Sequence, residues 1–415
     1  MRSPVFMPTV AHGMRAHLAR TETFVTNQVR SLRRHRSIVV AHHRRPETDV
    51  PLGEGVVADE QVPRPLALAQ HLAYRTAKVA LPSATSALAR YVHDQDARLL
   101  HLHYVTDARF LLGLQRKAGL PTVVSAYGYD VSSFPRQWHG LGRRYLRPVF
   151  GHVDLVLAMS EDMGRDVCAL GCPEEKVVVH YHGCDTARFQ GMVREHSPDE
   201  APVILCVGRL DVQKGQDLVL RALRLLERRG REFRVVLVGD GPLRPTLEQL
   251  VADFGWQDRV TFAGHVRHGS DEFLEHLRRA DLFAHPSVTV DGLKEGIPGA
   301  IVEAMASGLP VVATWHAGIP AVIDDDRHGL LVPERDLEAL AAALEALLDD
   351  QALRARLGAA AAERARDELD LVARTVELER IYARFTGASD APQDPREGTR
   401  HLDRLGDVVL NPMES

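Results

Sequence analysis

Apolar residues along the chain fall in short unbroken runs rather than in strict alternation. In the first half the runs are SIVVAH (37–42), RLLHLHY (98–104), TVVSAY (122–127), VDLVLAMS (153–160) and KVVVHY (176–181). The second half adds PVILCVG, FRVVLVGDG, RVTFAG, DLFAHPS, PVVAT and GLLVP. Runs of this length, rich in β-branched residues and separated by helical stretches, predict parallel strands covered by helices on both faces. The repeated strand–helix rhythm predicts doubly wound α/β architecture.

That rhythm breaks once, at QGMVREHSPDEAP (190–202), a polar stretch without periodicity. A chain of 415 residues exceeds what one hydrophobic core normally supports. Two Rossmann-like domains are therefore expected, over 1–190 and 203–367, joined by a linker at 191–202. An Ala-, Leu- and Arg-rich helical region then runs to about Phe385. Residues 387–415, with GASDAPQDPREGTR, are expected to be a disordered tail.

Charge narrows the function classes. A net charge of −5 excludes a uniformly basic nucleic-acid coat, and no nucleic-acid partner is expected. The distribution is uneven, with nine arginines and the single acid Glu22 in residues 1–45. A second basic stretch holds Arg136, Arg143, Arg144 and Arg147. Four cysteines make no disulfide framework, and Cys168 and Cys172 lack a second ligand pair at zinc-like spacing. No apolar run approaches the roughly 20 residues that span a bilayer. MRSPVFMPTVAHGMRAH lacks the apolar core of a signal peptide, so the expected location is the cytoplasm.

In open α/β sheets ligands bind beyond the carboxyl ends of the strands, which directs attention to the loops there. GRLDVQKG follows PVILCVG; Gly208 permits a sharp turn, and Arg209 and Lys214 flank a helix start near Gly215–Gln216. Two cations beside a helix N-terminus suit a diphosphate, although exposed loop charges would look the same. DGLKEGIPGAIVEAMASGLP (291–310) places Glu295 and Glu303 in an apolar setting. Pro298 disfavours helix at Ile297, so a helix is expected from near Pro298 to just before Gly308. That leaves amides open around Gly299 and Ala300. A carboxylate there can accept both hydroxyls of a ribose or sugar diol, or the two acids are one surface group and one cap. Gly318, in TWHAGIPAVI, follows a strand where amides can meet phosphate. VGDGPLR lacks the third glycine and the downstream acid of a dinucleotide loop.

In the first half, RTETFVTNQV, HLHYVTDARF and SAYGYDVSSF are candidate cleft loops. His101 and His103 alternate on one strand and share a face. Gly183 and Asp185 read as turn and cap, and DDDRHG (324–329) as a turn rather than a metal-binding acid pair.

These pieces, in this order, resemble the retaining glycosyltransferases of family 4, which have the GT-B fold. The resemblance rests on GRLDVQKG, VGDGPLR, FAGHV, LFAHPS, EGIPGAIVE with its E-x7-E spacing, EAMASGLPVVAT and GLLVP. The first half resembles the bacterial exopolysaccharide branch, of colanic acid and amylovoran type, through TETFVTNQV and YGYDVS. The resemblance implies that Glu295 lies by the donor sugar, with Arg209 and Lys214 on the departing diphosphate. It implies donor contacts from Glu303 (ribose), Gly208, Ile297, Gly299 and Gly318. His103, Tyr127, Gly128 and Asp130 would lie on the acceptor side. Residues 368–386 would form a helix crossing back to the first domain. The implied reaction moves a hexose from a nucleotide-diphosphate sugar to a lipid-linked or glycan acceptor. No metal and no further cofactor are implied, because two cations can stabilise the leaving diphosphate. Relatives commonly have His where this chain has Tyr127, and a phenol, with a pKa of about 10, is a poor base at neutral pH. The arginines suggest contact with an anionic membrane surface. An epimerase, a phosphorylase or a non-catalytic nucleotide-sugar-binding scaffold are the alternatives.

Overall fold

The computed structural model describes residues 7–16, 23–44, 54–77, 79–192 and 200–388. Most of the expected linker and tail, and part of the basic N-terminal segment, lie outside these residues. The first sheet contains β1 (Thr9–Ala16), β2 (Arg36–His43), β3 (Gly55–Val57), β4 (Ala97–His103), β5 (Thr122–Ser125), β6 (Leu155–Ala158) and β7 (Val177–Val179). Its order is β3-β2-β1-β4-β5-β6-β7, and every pair is parallel. The second sheet contains β8 (Val203–Val207), β9 (Arg234–Val238), β10 (Val260–Gly264), β11 (Leu282–His285), β12 (Val311–Thr314) and β13 (Gly329–Val332). Its order, β10-β9-β8-β11-β12-β13, repeats the same parallel winding.

Two strands depart from the sequence expectation. β1, an interior strand between β2 and β4, escapes the pattern of apolar runs because His12, Gly13 and Arg15 interrupt its apolar residues. Packing explains those residues: His12 is fully buried, and a side chain on Gly13 would collide with Leu102. β3 is a three-residue edge strand, too short to register as a run.

Side chains alternate across each strand, so every sheet has two faces to cover. On one face of the first sheet Ala11, Ile38, Val40, Leu100, Leu102 and Val124 share a core with Leu88 and Val92 of the helix Pro82–Asp94. The other face shows Val10, Leu99, Val123, Leu155 and Leu157. The helix Leu371–Thr386 covers it with Leu378, Ile381 and Tyr382. Asp370 caps that helix, accepting from the Val372 and Ala373 amides. Glu379, also in it, accepts from the Arg33 and Arg34 amides at 2.8 and 2.6 Å. The chain's last described helix therefore belongs to the first sheet, although it follows the second domain.

Strand order reverses direction between β1 and β4 and again between β8 and β11. These are the switch points where a crevice opens beyond the strand ends. No helix among the described residues is long and apolar enough to cross a membrane.

Candidate active site

The loop after β8 turns at Gly208, whose φ of +146° lies where side chains are disfavoured. Gly239 of the VGDG segment packs on the Gly208 carbonyl with no room for a Cβ, so that segment buttresses the turn. A single turn of 3-10 helix, Val212–Lys214, then delivers Lys214 ahead of the helix Gln216–Arg228. Lys214 Nζ lies 2.6 Å from Glu295 Oε1, forming an ion pair at the β8/β11 switch point. Arg209 stands apart from that pair: its side chain is 68% exposed and its Nε lies 3.4 Å from Asp211 Oδ2.

The Glu295 carboxylate has only 7% of its side-chain surface exposed. Burial alone would push its pKa up; the Lys214 ammonium and then His285, 3.7 Å away, hold it well below the usual carboxylate range. His285 is itself depressed, by burial first, and stays neutral beside this charge. The backbone N–H of Glu295 donates to His316 Nε2 at 3.1 Å. His316 Nδ1, which must then carry the proton, faces Glu334 Oε1 at 2.6 Å. His285, His316 and Glu334 were missed in the sequence, where a single polar residue at a strand end carries no periodic signal.

Pro298 caps the helix Gly299–Ala306, and the Gly299 and Ala300 amides meet no acceptor among the described residues. Glu303 Oε1 stands over this first turn, 3.7 Å from where a Gly299 Cβ would be. His268 Nε2 lies 2.5 Å from the same oxygen. That hydrogen bond, outweighing burial, raises the His268 pKa. Ile297 is buried, and Gly318 sits close against it and the Gly296 carbonyl.

Across the cleft, Tyr127 Oη lies 2.7 Å from His103 Nδ1, and His103 Nε2 lies 3.1 Å from His12 Nδ1. His101 is bound to Tyr382 Oη at 2.5 Å and to Ser125 Oγ at 2.8 Å. Burial lowers the His12 pKa to about 3 and those of His101 and His103 well below the ordinary value, so all three are neutral. Three imidazole nitrogens within 4.8 Å of one another form a possible metal cluster. However, His12 and His103 already bond to each other, His103 to Tyr127, and His101 to Tyr382 and Ser125, with only His12 Nε2 unpartnered among the three. Through these bonds His12 and His103 form a hydrogen-bonded strut behind Tyr127.

Asp130 is likewise fully buried, accepting from the Val105 amide at 2.8 Å and from those of Tyr127 and Gly128 at 3.1 Å. Burial raises its pKa to about 6 against those donors. His103 and Asp130, expected on the acceptor side, are buried behind the Tyr127–Gly128 turn, where Tyr127 is half-buried and Gly128 is buried against the Lys294–Gly296 backbone. Cys168 and Cys172 are free thiols, with Cys172 pushed up to about 11 by burial. Asp324 pairs with Arg364 at 2.7 Å, which makes the DDDRHG segment a structural turn.

Residues 201–350 match the family described as Glycosyl transferases group 1, and residues 21–188 match Glycosyltransferase Family 4. The amylovoran biosynthesis glycosyltransferase AmsK of Erwinia amylovora is 38% identical over 207 residues, covering 49% of this chain and 50% of that protein. WcaL of Escherichia coli, assigned by its name to colanic acid biosynthesis, is 38% identical over 225 residues, 53% of each protein. The chain thus aligns with about half the length of these two relatives. A GDP-mannose-dependent alpha-(1-6)-phosphatidylinositol monomannoside mannosyltransferase of Mycolicibacterium smegmatis is 31% identical over 292 residues, 67% of this chain and 74% of that protein. Among solved structures, Anabaena HepE in complex with UDP superposes with a TM-score of 0.72 at 19% identity, covering 91% of this chain and all (100%) of that one. Sucrose-phosphate synthase from Thermosynechococcus elongatus also gives 0.72, at 20% identity and 92% of this chain. These two likenesses establish the architecture, GT-B, with paired doubly wound domains. Both halves of the sequence and the fold as a whole thus lead to one place: the chain belongs to the group 1 and family 4 glycosyltransferases.

Proposed function

We propose that this chain transfers a hexose, with retention, from a nucleotide-diphosphate sugar to a lipid-linked or oligosaccharide acceptor in bacterial polysaccharide synthesis. The observation that carries this reading is the Lys214–Glu295 pair at 2.6 Å, on the same switch-point loops as the open Gly299 and Ala300 amides. Lys214 and those amides receive the diphosphate, and Arg209 adds a second cation by turning inward from Asp211. Glu303 exchanges His268 for the ribose hydroxyls. Glu295, kept ionised by Lys214, stands by the donor sugar. The bond from the sugar to the phosphate oxygen breaks, a bond to the acceptor oxygen forms, and the acceptor's proton passes to the leaving phosphate. Lysine, arginine and amides together offset the developing charge, which makes a divalent metal unnecessary.

Names of relatives support both the donor class and the pathway. AmsK is named for amylovoran biosynthesis, the mycobacterial relative for GDP-mannose, and HepE was solved with UDP. The acceptor domain is read as meeting anionic lipid at the cytoplasmic face. In support, Trp138 and Leu141 are 43% and 58% exposed beside exposed Arg136, Arg143, Arg144 and Arg147. Incubating the full chain with UDP- and GDP-sugars, lipid-linked glycan acceptors and EDTA tests the proposal. Acceptor-dependent nucleoside diphosphate release that survives EDTA and is lost in Glu295→Gln is expected. Acceptor-independent change of the donor would identify an epimerase, a requirement for inorganic phosphate a phosphorylase, and binding without turnover a scaffold. Flotation with anionic but not neutral vesicles at low salt is expected for the membrane contact.

A further inference from the structure

The loop carrying Glu295 is held from both sides of the cleft. On its own domain it is fixed by Lys214 and His316, as described above. Its flanking residues, however, rest on the opposite domain. The Lys294 N–H donates to Ser132 Oγ at 3.2 Å. The Lys294 ammonium lies 3.0 Å from Asp162 Oδ2 and 2.9 Å from Asp166 Oδ2, both on the helix Glu161–Ala169. A Cβ on Gly296 would stand 3.3 Å from Met159 Sδ and Met163 Cε, so that residue packs directly on the first domain.

Asp162 and Asp166 are four residues apart and share one helix face. Asp162 lies in the first turn of that helix, where the backbone dipole favours a carboxylate, whereas Asp166 lies in its C-terminal half, where the dipole gives no such help. A lone surface ion pair is worth little, but a lysine shared by two carboxylates gives a paired geometry that acts only when both domains are in place. Burial works against the Lys294 charge, and the two carboxylates outweigh it.

We propose that Lys294 is a positioning residue whose grip on Asp162 and Asp166 seats the Glu295 loop only when the two domains close. Closure completes the site; opening, needed for substrates to exchange, breaks both ion pairs and the Ser132 hydrogen bond together. The Lys214, His285 and His316 contacts lie within the second domain and survive opening. This inference rests on the reading that Glu295 serves sugar transfer.

The test uses the full chain as wild type, Lys294→Met, Asp162→Asn/Asp166→Asn, and a charge-exchanged form, Lys294→Asp with Asp162→Asn and Asp166→Lys. Lys294→Met and the paired Asn variant should lose about tenfold or more in kcat, as expected for a displaced reacting group. Their affinity for UDP and GDP should stay within about twofold, because the second-domain contacts remain. Small-angle scattering should show both as more extended than wild type, and the charge-exchanged form should recover compactness and part of kcat. Wild-type kcat and scattering in Lys294→Met would overturn the proposal. So would a kcat loss with unchanged scattering, or a parallel loss of nucleotide affinity. If the wild type turns over no donor, the proposed function fails, while the scattering comparison still decides whether Lys294 clamps the domains.

Discussion

Lys214 and Glu295 form an ion pair that a purely structural loop would have little reason to keep. Burying two charges costs more than their attraction commonly returns, and breaking such a pair is worse than never having built it. Lys214→Met should therefore lower the melting temperature by leaving Glu295 without a counter-charge, and Lys214→Met/Glu295→Gln should recover much of the loss. Turnover should fall in Lys214→Met, Glu295→Gln and the double variant alike, by about 10²- to 10³-fold, typical of losing one electrostatic contact to the transition state. Thermal melts and donor turnover on the three proteins separate the two effects. If the single and double variants melt alike, the pair does not carry the stability assigned to it.

At the scale of elements, the helix Gly299–Ala306 was legible because backbone chemistry marks its ends: Pro298 at its start and Gly308 just past it. Both glutamates could be placed from that alone. The Glu295 support was not legible, since His285, His316 and Glu334 come from three separate strand ends and meet only in three dimensions. β1 failed for a related reason: His12 is tolerated in the core because β4 supplies His103 as its partner. On the same strand as His103, His101 ties β4 to the last helix through Tyr382. Tyr382→Phe removes that hydroxyl and leaves the fully buried His101 Nδ1 unpaired, which should cost about 1–3 kcal/mol in urea unfolding. Gly128 has a φ of +123°, and a Cβ there would stand 3.2 Å from the Lys294 carbonyl oxygen. Gly128→Ala should displace the Glu295 loop and reduce kcat more than it reduces UDP or GDP affinity, as steady-state kinetics and calorimetry would show.

For the whole molecule, buried histidines set the pH response. Burial first holds His12 and His180 to about 3 and His42 and His182 to about 4, with His101 and His103 well below their ordinary value. A folded pKa lower than the unfolded one means that the unfolded chain takes up protons first as pH falls below about 6.5. Their contribution is present above that pH and is lost toward about pH 4. Asp59 and Asp130, raised to about 6, and Asp185 and His268, also raised, have the opposite sign, but they are four groups against six histidines. Urea midpoints should therefore drop from pH 7.5 to pH 5; a flat profile would contradict the neutral buried cluster. The returning helix Leu371–Thr386 carries a different lesson, for anyone exchanging domains between relatives. The first domain is encoded in two stretches separated by the entire second domain. A hybrid spliced only at the junction near residue 200 would mate a foreign sheet with a helix shaped for another. Grafts that carry both stretches together are the ones that can report on specificity rather than on misfolding.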